Sequence, residues 1–126
     1  MAVSYSIFKT ISTDAVGEQT EGVAVSSTDT YYSKPWGAAG TDGQAVQLEW
    51  SGDPVGVFTL WWSCKDHPIL TTDADWIEDT DFTPTNPAGS ASKMGDNAGN
   101  MKANLKRVKY VNASGTGVLK GWVTVA

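Results

Sequence analysis

With a single cysteine, Cys64, the chain cannot staple itself with an intrachain disulfide, so its stability must come from packing or from assembly with other chains. A single histidine, His67, leaves too few ligands for zinc, which needs four, or three plus a water. No Gly-x-Ser-x-Gly elbow and no His-Glu-x-x-His pair is present, which removes two common hydrolase signatures. No apolar run approaches the ~20 residues that span a bilayer, and no signal-peptide core opens the chain. The expectation is synthesis in the cytoplasm without an export tag, and no membrane partner. Leucines are few and helical periodicity is nearly absent. In their place stand 13 glycines, 5 prolines and abundant Ser and Thr, the composition of strands and turns. Six tryptophans, each able to bury roughly 150–250 Å², can supply the core of a thin sandwich. At 126 residues, 1–126 reads as one domain.

The stretch Gln44–Ser63 organises the rest. Val46, Leu48 and Trp50 alternate with Gln47 and Glu49, and Phe58, Leu60 and Trp62 alternate with Val57, Thr59 and Trp61. A period of two marks strands with one buried face. Between them Ser51-Gly52-Asp53-Pro54-Val55-Gly56 cannot continue a sheet ladder. The simplest register is a hairpin with Leu48 opposite Phe58, Val46 opposite Leu60 and a Ser51–Val55 loop. A second pair, Leu105–Val111 and Val118–Val125, flanks Asn112-Ala113-Ser114-Gly115-Thr116-Gly117. A Ser114-Gly115 turn would pair Tyr110 with Leu119 and Val108 with Gly121, placing Arg107 across from Trp122 and Lys109 across from Lys120.

Elsewhere the signals are shorter. Residues 1–20 either form an in-domain strand near 4–11 or leave as an arm that adds to a neighbour's sheet. Short strands are expected around Gly22–Val25, at Tyr31-Tyr32 and at Trp76-Ile77. Ser27–Gly43 is turn-rich apart from the Tyr31-Tyr32 strand, residues 64–104 form a long irregular excursion, and a helical turn fits within Asp96–Leu105. The expected architecture is all-β: a two-sheet, jelly-roll-like sandwich with Greek-key connections.

A net charge of −5 argues against nucleic acid, whose phosphates demand a basic footprint. Lys93, Lys102, Lys106, Arg107, Lys109 and Lys120 nonetheless cluster late in the chain, while Asp66, Asp73, Asp75, Glu78, Asp79 and Asp81 crowd its middle. Both clusters read as solvated surface, or as faces for oppositely charged neighbours. The run Asp73–Asp81 lacks the spacing of an EF-hand, and its carboxylates have no cleft that sequence can show for glycosidase chemistry. Cys64 and His67 stand three apart, but nothing orients the ring for nucleophilic work. No catalytic, cofactor or metal site is expected, and the protein reads as a non-enzyme.

Trp50 and Trp62 fall on the buried faces. Trp61 and Trp122 fall on the opposite ones, where an indole needs a cover: the 64–99 region, another chain, or a stacked sugar. Arg107 beside Trp122 would form a cation–π pair. Trp61, Trp122, Arg107, Lys109 and Lys120 are therefore the candidate partner-contact residues.

Together, VQLEWSGDPVGVFTLWWS at 46–63 and RVKYVNASGTGVLKGWVTV at 107–125 resemble a group of small β-sandwich virion proteins of tailed bacteriophages. In that group a strand–(S/T)G-x-P-x-G–strand hairpin is followed, after an excursion, by an R-x-x-Y-x-x-x-x-G-x-G terminal hairpin, matched here by Arg107, Tyr110, Gly115 and Gly117. The resemblance implies a capsid decoration (cement) protein on the outer surface of the virion head. Its partner would be the major capsid protein, with self-association, by analogy as a trimer. The alternative is a carbohydrate- or receptor-binding domain of a phage tail or fibre.

Overall fold

The computed structural model describes residues 3–11, 19–38, 43–89, 92–99 and 103–126. Twelve strands occur among them: β1 (Val3–Ser6), β2 (Lys9–Ile11), β3 (Gln19–Glu21), β4 (Val23–Val25), β5 (Thr30–Tyr32), β6 (Trp36–Gly37), β7 (Gln44–Gly52), β8 (Val55–Ser63), β9 (Ile77–Glu78), β10 (Ser92–Asn97), β11 (Leu105–Ser114) and β12 (Gly117–Val125). In sheet I, β1 and β4 share one edge of β12, followed by β7 and β10. In sheet II, β5 and β6 share one edge of β11, followed by β8 and β9. Every pairing is antiparallel and the pairings nest: the first strands with β12, the next with β11, β7 with β10, and β8 with β9. That nesting of strands across two sheets is a jelly roll.

Residues 3–11 stay in the domain. β1 runs along β12 with Ser6 opposite Trp122. The strand breaks at Ile7, whose N–H donates to the Gly121 carbonyl of sheet I (2.8 Å) and whose carbonyl accepts from Lys34 beside sheet II (2.7 Å). Both Ile7 and Phe8 are buried at this seam. β2 and β3 then form a two-stranded ribbon that pairs with no other strand among the described residues. The helical turn expected within Asp96–Leu105 falls partly outside the described residues; Asp96 and Asn97 close β10, and Leu105 opens β11.

The inward faces are as the alternation requires. Val46, Leu48 and Trp50 of β7 and Phe58 and Leu60 of β8 are buried, with Val108, Tyr110, Leu119 and Val123. The expected hairpins, however, do not form. β7 pairs with β12 (Leu48 opposite Gly121, Trp50 opposite Leu119), and β8 pairs with β11 (Leu60 opposite Val108, Phe58 opposite Tyr110). Both connections are arches that carry the chain from one sheet to the other. Trp50 meets Phe58 across the interior, ring centroids 5.7 Å apart, rather than beside it in one sheet. The physical reason is that alternation states which side chains are buried, not which strand lies alongside. Two strands facing each other across a sandwich bury the same residues as two strands side by side.

The two arches lock together. The Asp53 N–H donates to the Thr116 carbonyl (2.9 Å), and the Thr116 N–H donates back to Asp53 Oδ1 (3.0 Å). The loops approach so closely that only glycine fits: Gly52 and Gly115 have φ of +82° and +78°, and a Cβ on either would overlap the carbonyl of the other arch. Buried Asn112 ties in a third crossing, between β4 and β5. Its Nδ2 donates to the Ser27 carbonyl (2.7 Å) and the Gly115 carbonyl (3.0 Å), while its Oδ1 accepts from the Tyr110 hydroxyl (2.9 Å). Asn112→Ala strands these groups, one of them on a buried tyrosine, at about 1–3 kcal/mol for each unsatisfied buried group. The expected outcome is a loss of at least ~2 kcal/mol in urea unfolding with an unchanged m-value. Asn112→Asp keeps an acceptor for Tyr110 but sets a buried carboxylate oxygen against the Ser27 and Gly115 carbonyls, so at pH 7 it is expected to lose at least as much.

Candidate functional site

The five candidate contact residues do not form one surface. Trp61, Arg107 and Lys109 lie together on the outer side of sheet II, with Arg107 opposite Trp61 in the ladder. Trp122 and Lys120 lie on the outer side of sheet I, opposite Gln47 and Glu49. The expected pairing of Arg107 with Trp122 is thus replaced by a pairing with Trp61, because β11 and β12 belong to different sheets.

Arg107 is not a surface residue. Its side chain is 0 % exposed, beneath residues 69–76 of the excursion. The guanidinium carbon lies 4.5 Å from the Trp76 ring centroid, 4.6 Å from Tyr32 and 5.5 Å from Trp61. Its nitrogens donate to the Leu70 carbonyl and to Asp73 Oδ1 (2.7 Å). A planar cation stacked among aromatic faces keeps much of its stabilisation after leaving water. Asp73 also bridges to Lys109 Nζ (2.6 Å), which sits 5.2 Å from the Trp61 centroid. The loop is secured further by the Trp76 indole N–H to the Ile69 carbonyl (2.9 Å) and by Asp75, which accepts from Lys65 (2.7 Å) and the Ile69 N–H (2.9 Å). Arg107 and Lys109 thus lie over the ring of half-buried Trp61 and at the same time hold this part of the chain in place.

The acidic and basic runs serve each other. Asp73 answers Arg107 and Lys109, and Asp75 answers Lys65. Lys106, read from sequence as solvated, instead points into the sandwich, fully buried, and donates to the Ala98 carbonyl (2.7 Å). Burial pulls its pKa down, and the nearby Asp79 charge opposes that shift. Cys64 and His67 are exposed. Among the described residues no group of three or more His, Cys, Asp or Glu side chains is placed to hold a metal ion.

Two outer surfaces remain open. On sheet I a groove of about 710 Å³ runs across β12, β7 and β10, bounded by half-buried Trp122 and Thr124 and floored by Ala45 and Gly95, with Gln47 between. Lys120, exposed, faces Glu49 beyond its end. On sheet II, past the covered end, Val57 and Val111 pair directly, 50 % and 40 % exposed, with Val55 at 38 %. Sequence reasoning missed this apolar strip because outward valines are common in strands. What singles it out is their meeting across β8 and β11, which needs the register. No family model and no curated protein matches the sequence.

The loop's ion pairs set a pH dependence. Burial works against charge on Asp73, but the hydrogen bonds and charges of Lys109 and Arg107 prevail and hold its carboxyl below the usual range. In the window between the lowered native pKa and the unfolded value near ~3.9, the unfolded chain binds more protons. Stability from Asp73 is therefore complete above that window and fades as pH falls through the native pKa. Asp73→Asn is expected to lower the urea midpoint at pH 7 and to flatten the acid limb of a stability–pH profile followed by tryptophan fluorescence. A variant with the wild-type acid limb contradicts the assignment.

Proposed function

We propose that this protein is a structural component of a tailed-phage virion: a decoration or cement protein that seats on the outside of the head and stabilises it non-covalently. The observation that carries the reading is the uncharged strip of Val55, Val57 and Val111 on the outer side of sheet II. Three exposed β-branched side chains close together on one sheet face offer apolar area that is removed from water only when a partner covers it. Burying it in the assembled shell stabilises that shell by mass action. The resemblance of the 46–63 and 107–125 stretches to small phage virion proteins supports the same reading, as does the jelly roll, a fold used by viral capsid domains. The partner is the major capsid protein, and self-association, expected as a trimer, multiplies a modest patch into a firm grip.

Co-sedimentation of the purified protein with phage heads tests the proposal. The Val57→Asp, Val111→Asp double variant places two charges in the contact and is expected to weaken head binding more than tenfold, about 1.4 kcal/mol, with the fold intact by NMR and a somewhat lower melting transition, because the two carboxylates face each other across the ladder. Wild-type protein that fails to bind heads, or a double variant that binds them fully, contradicts it.

A further inference from the structure

We infer that the groove on the outer side of sheet I is a binding site for a neutral saccharide, with Trp122 as its stacking platform. Antiparallel partners point to the same side of a sheet, so Gly95, Gln47, Trp122 and Ser6 form one outward row across β10, β7, β12 and β1. The adjoining row holds Ala45, Thr124 and Ser4. Trp122 is the one aromatic residue in these two rows. The groove beside it, about 710 Å³, lies in the ordinary range for ligand sites, roughly 300–1,000 Å³.

The groove is open to solvent along its length, and this decides the ligand class. An apolar ligand binds by burying most of its surface, which an open trough with one aromatic wall cannot provide. A pyranose ring needs less. Its axial C–H face lies on the electron-rich face of the indole, while its other face and its equatorial hydroxyls stay in water or meet polar side chains. Those side chains are in place. Gln47 Nε2 donates to Glu49 Oε2 (2.8 Å), which orients the amide and leaves its oxygen to accept from a hydroxyl. The Thr124 and Ser4 hydroxyls, paired at 2.9 Å, offer both donor and acceptor on the far side of the ring.

Charge narrows the class further. Asp96 lines the groove, and beside it Lys93 and Lys120 flank Glu49 in the ladder, so no net basic field is presented. A nucleotide base could also stack on indole, but its phosphates would find no such field here. Sialylated or sulfated glycans meet the same objection. The site faces away from the valine strip, on the opposite sheet, so the inference stands independently of the capsid role.

The test is a defined array of neutral, sialylated and sulfated oligosaccharides probed with the full chain. The neutral glycan giving the strongest signal is then titrated by ¹H–¹⁵N NMR. Expected are saturable signals from neutral hexopyranosides, with shifts confined to Trp122, Gln47, Thr124 and their neighbours. Trp122→Ala should lower affinity more than tenfold with the fold intact by NMR, Trp122→Tyr should retain part of it, and Gln47→Ala should lower it severalfold. Val57→Asp with Val111→Asp should leave it unchanged, which separates this site from head binding. A silent array, binding indifferent to Trp122→Ala, or a preference for the anionic glycans overturns the inference.

Discussion

The sandwich depends on the clasp between its two central arches. Asp53 and Thr116 exchange hydrogen bonds across loops that only glycine allows to approach so closely. The clasp sets β7 beside β12 and β8 beside β11 at once, because each arch contributes one strand to each sheet. Once that register is set, Trp50, Phe58 and Tyr110 stack through the interior, with Phe58 and Tyr110 centroids 4.8 Å apart. Asn112 extends the same closure to the β4–β5 crossing. A buried amide making three hydrogen bonds is expensive to remove but gives little net stability when satisfied. Its effect is to admit one arrangement of the crossings and no other.

From this register follow two outer surfaces of different character. Sheet II is covered at one end by its own excursion, held down by Arg107 and Asp73, and bare at the other, where the valines meet. Sheet I carries Trp122 beside an open groove, with charges of both signs nearby. A single contact surface built from Trp61, Trp122, Arg107, Lys109 and Lys120 is incompatible with this geometry, since the two tryptophans stand on opposite sheets. Arg107 in particular acts within the chain: it secures the 69–76 loop and lies over the Trp61 ring.

Much of the fold was legible in the residues. The alternation at 44–63 and 105–125 named the strands and their buried faces, and the two Gly-containing loops marked where the chain turns. What alternation cannot encode is the identity of a strand's neighbour, so arches read as hairpins. β10 escaped notice because, among its described side chains, Met94 alone is buried and the sequence Ser-Lys-Met-Gly-Asp-Asn carries no period-two apolar pattern. Lys106 and Arg107 read as surface because a cation in sequence carries no sign of the carbonyl or aromatic faces that will receive it. The residues did not show that the two outward tryptophans have different surroundings: Arg107 and Lys109 lie over Trp61, while Trp122 borders the open groove on sheet I. The path of the excursion near Trp61 depends on pairs distant in sequence, such as Arg107 with Asp73.

The arch arrangement is open to one direct measurement: cross-strand nuclear Overhauser effects between backbone protons in the labelled protein. The account predicts contacts linking Leu48 to Gly121 and Trp50 to Leu119 in one sheet, and Phe58 to Tyr110 and Leu60 to Val108 in the other. Backbone contacts linking Leu48 to Phe58, or Tyr110 to Leu119, would make the two units hairpins after all and would contradict both surfaces described above.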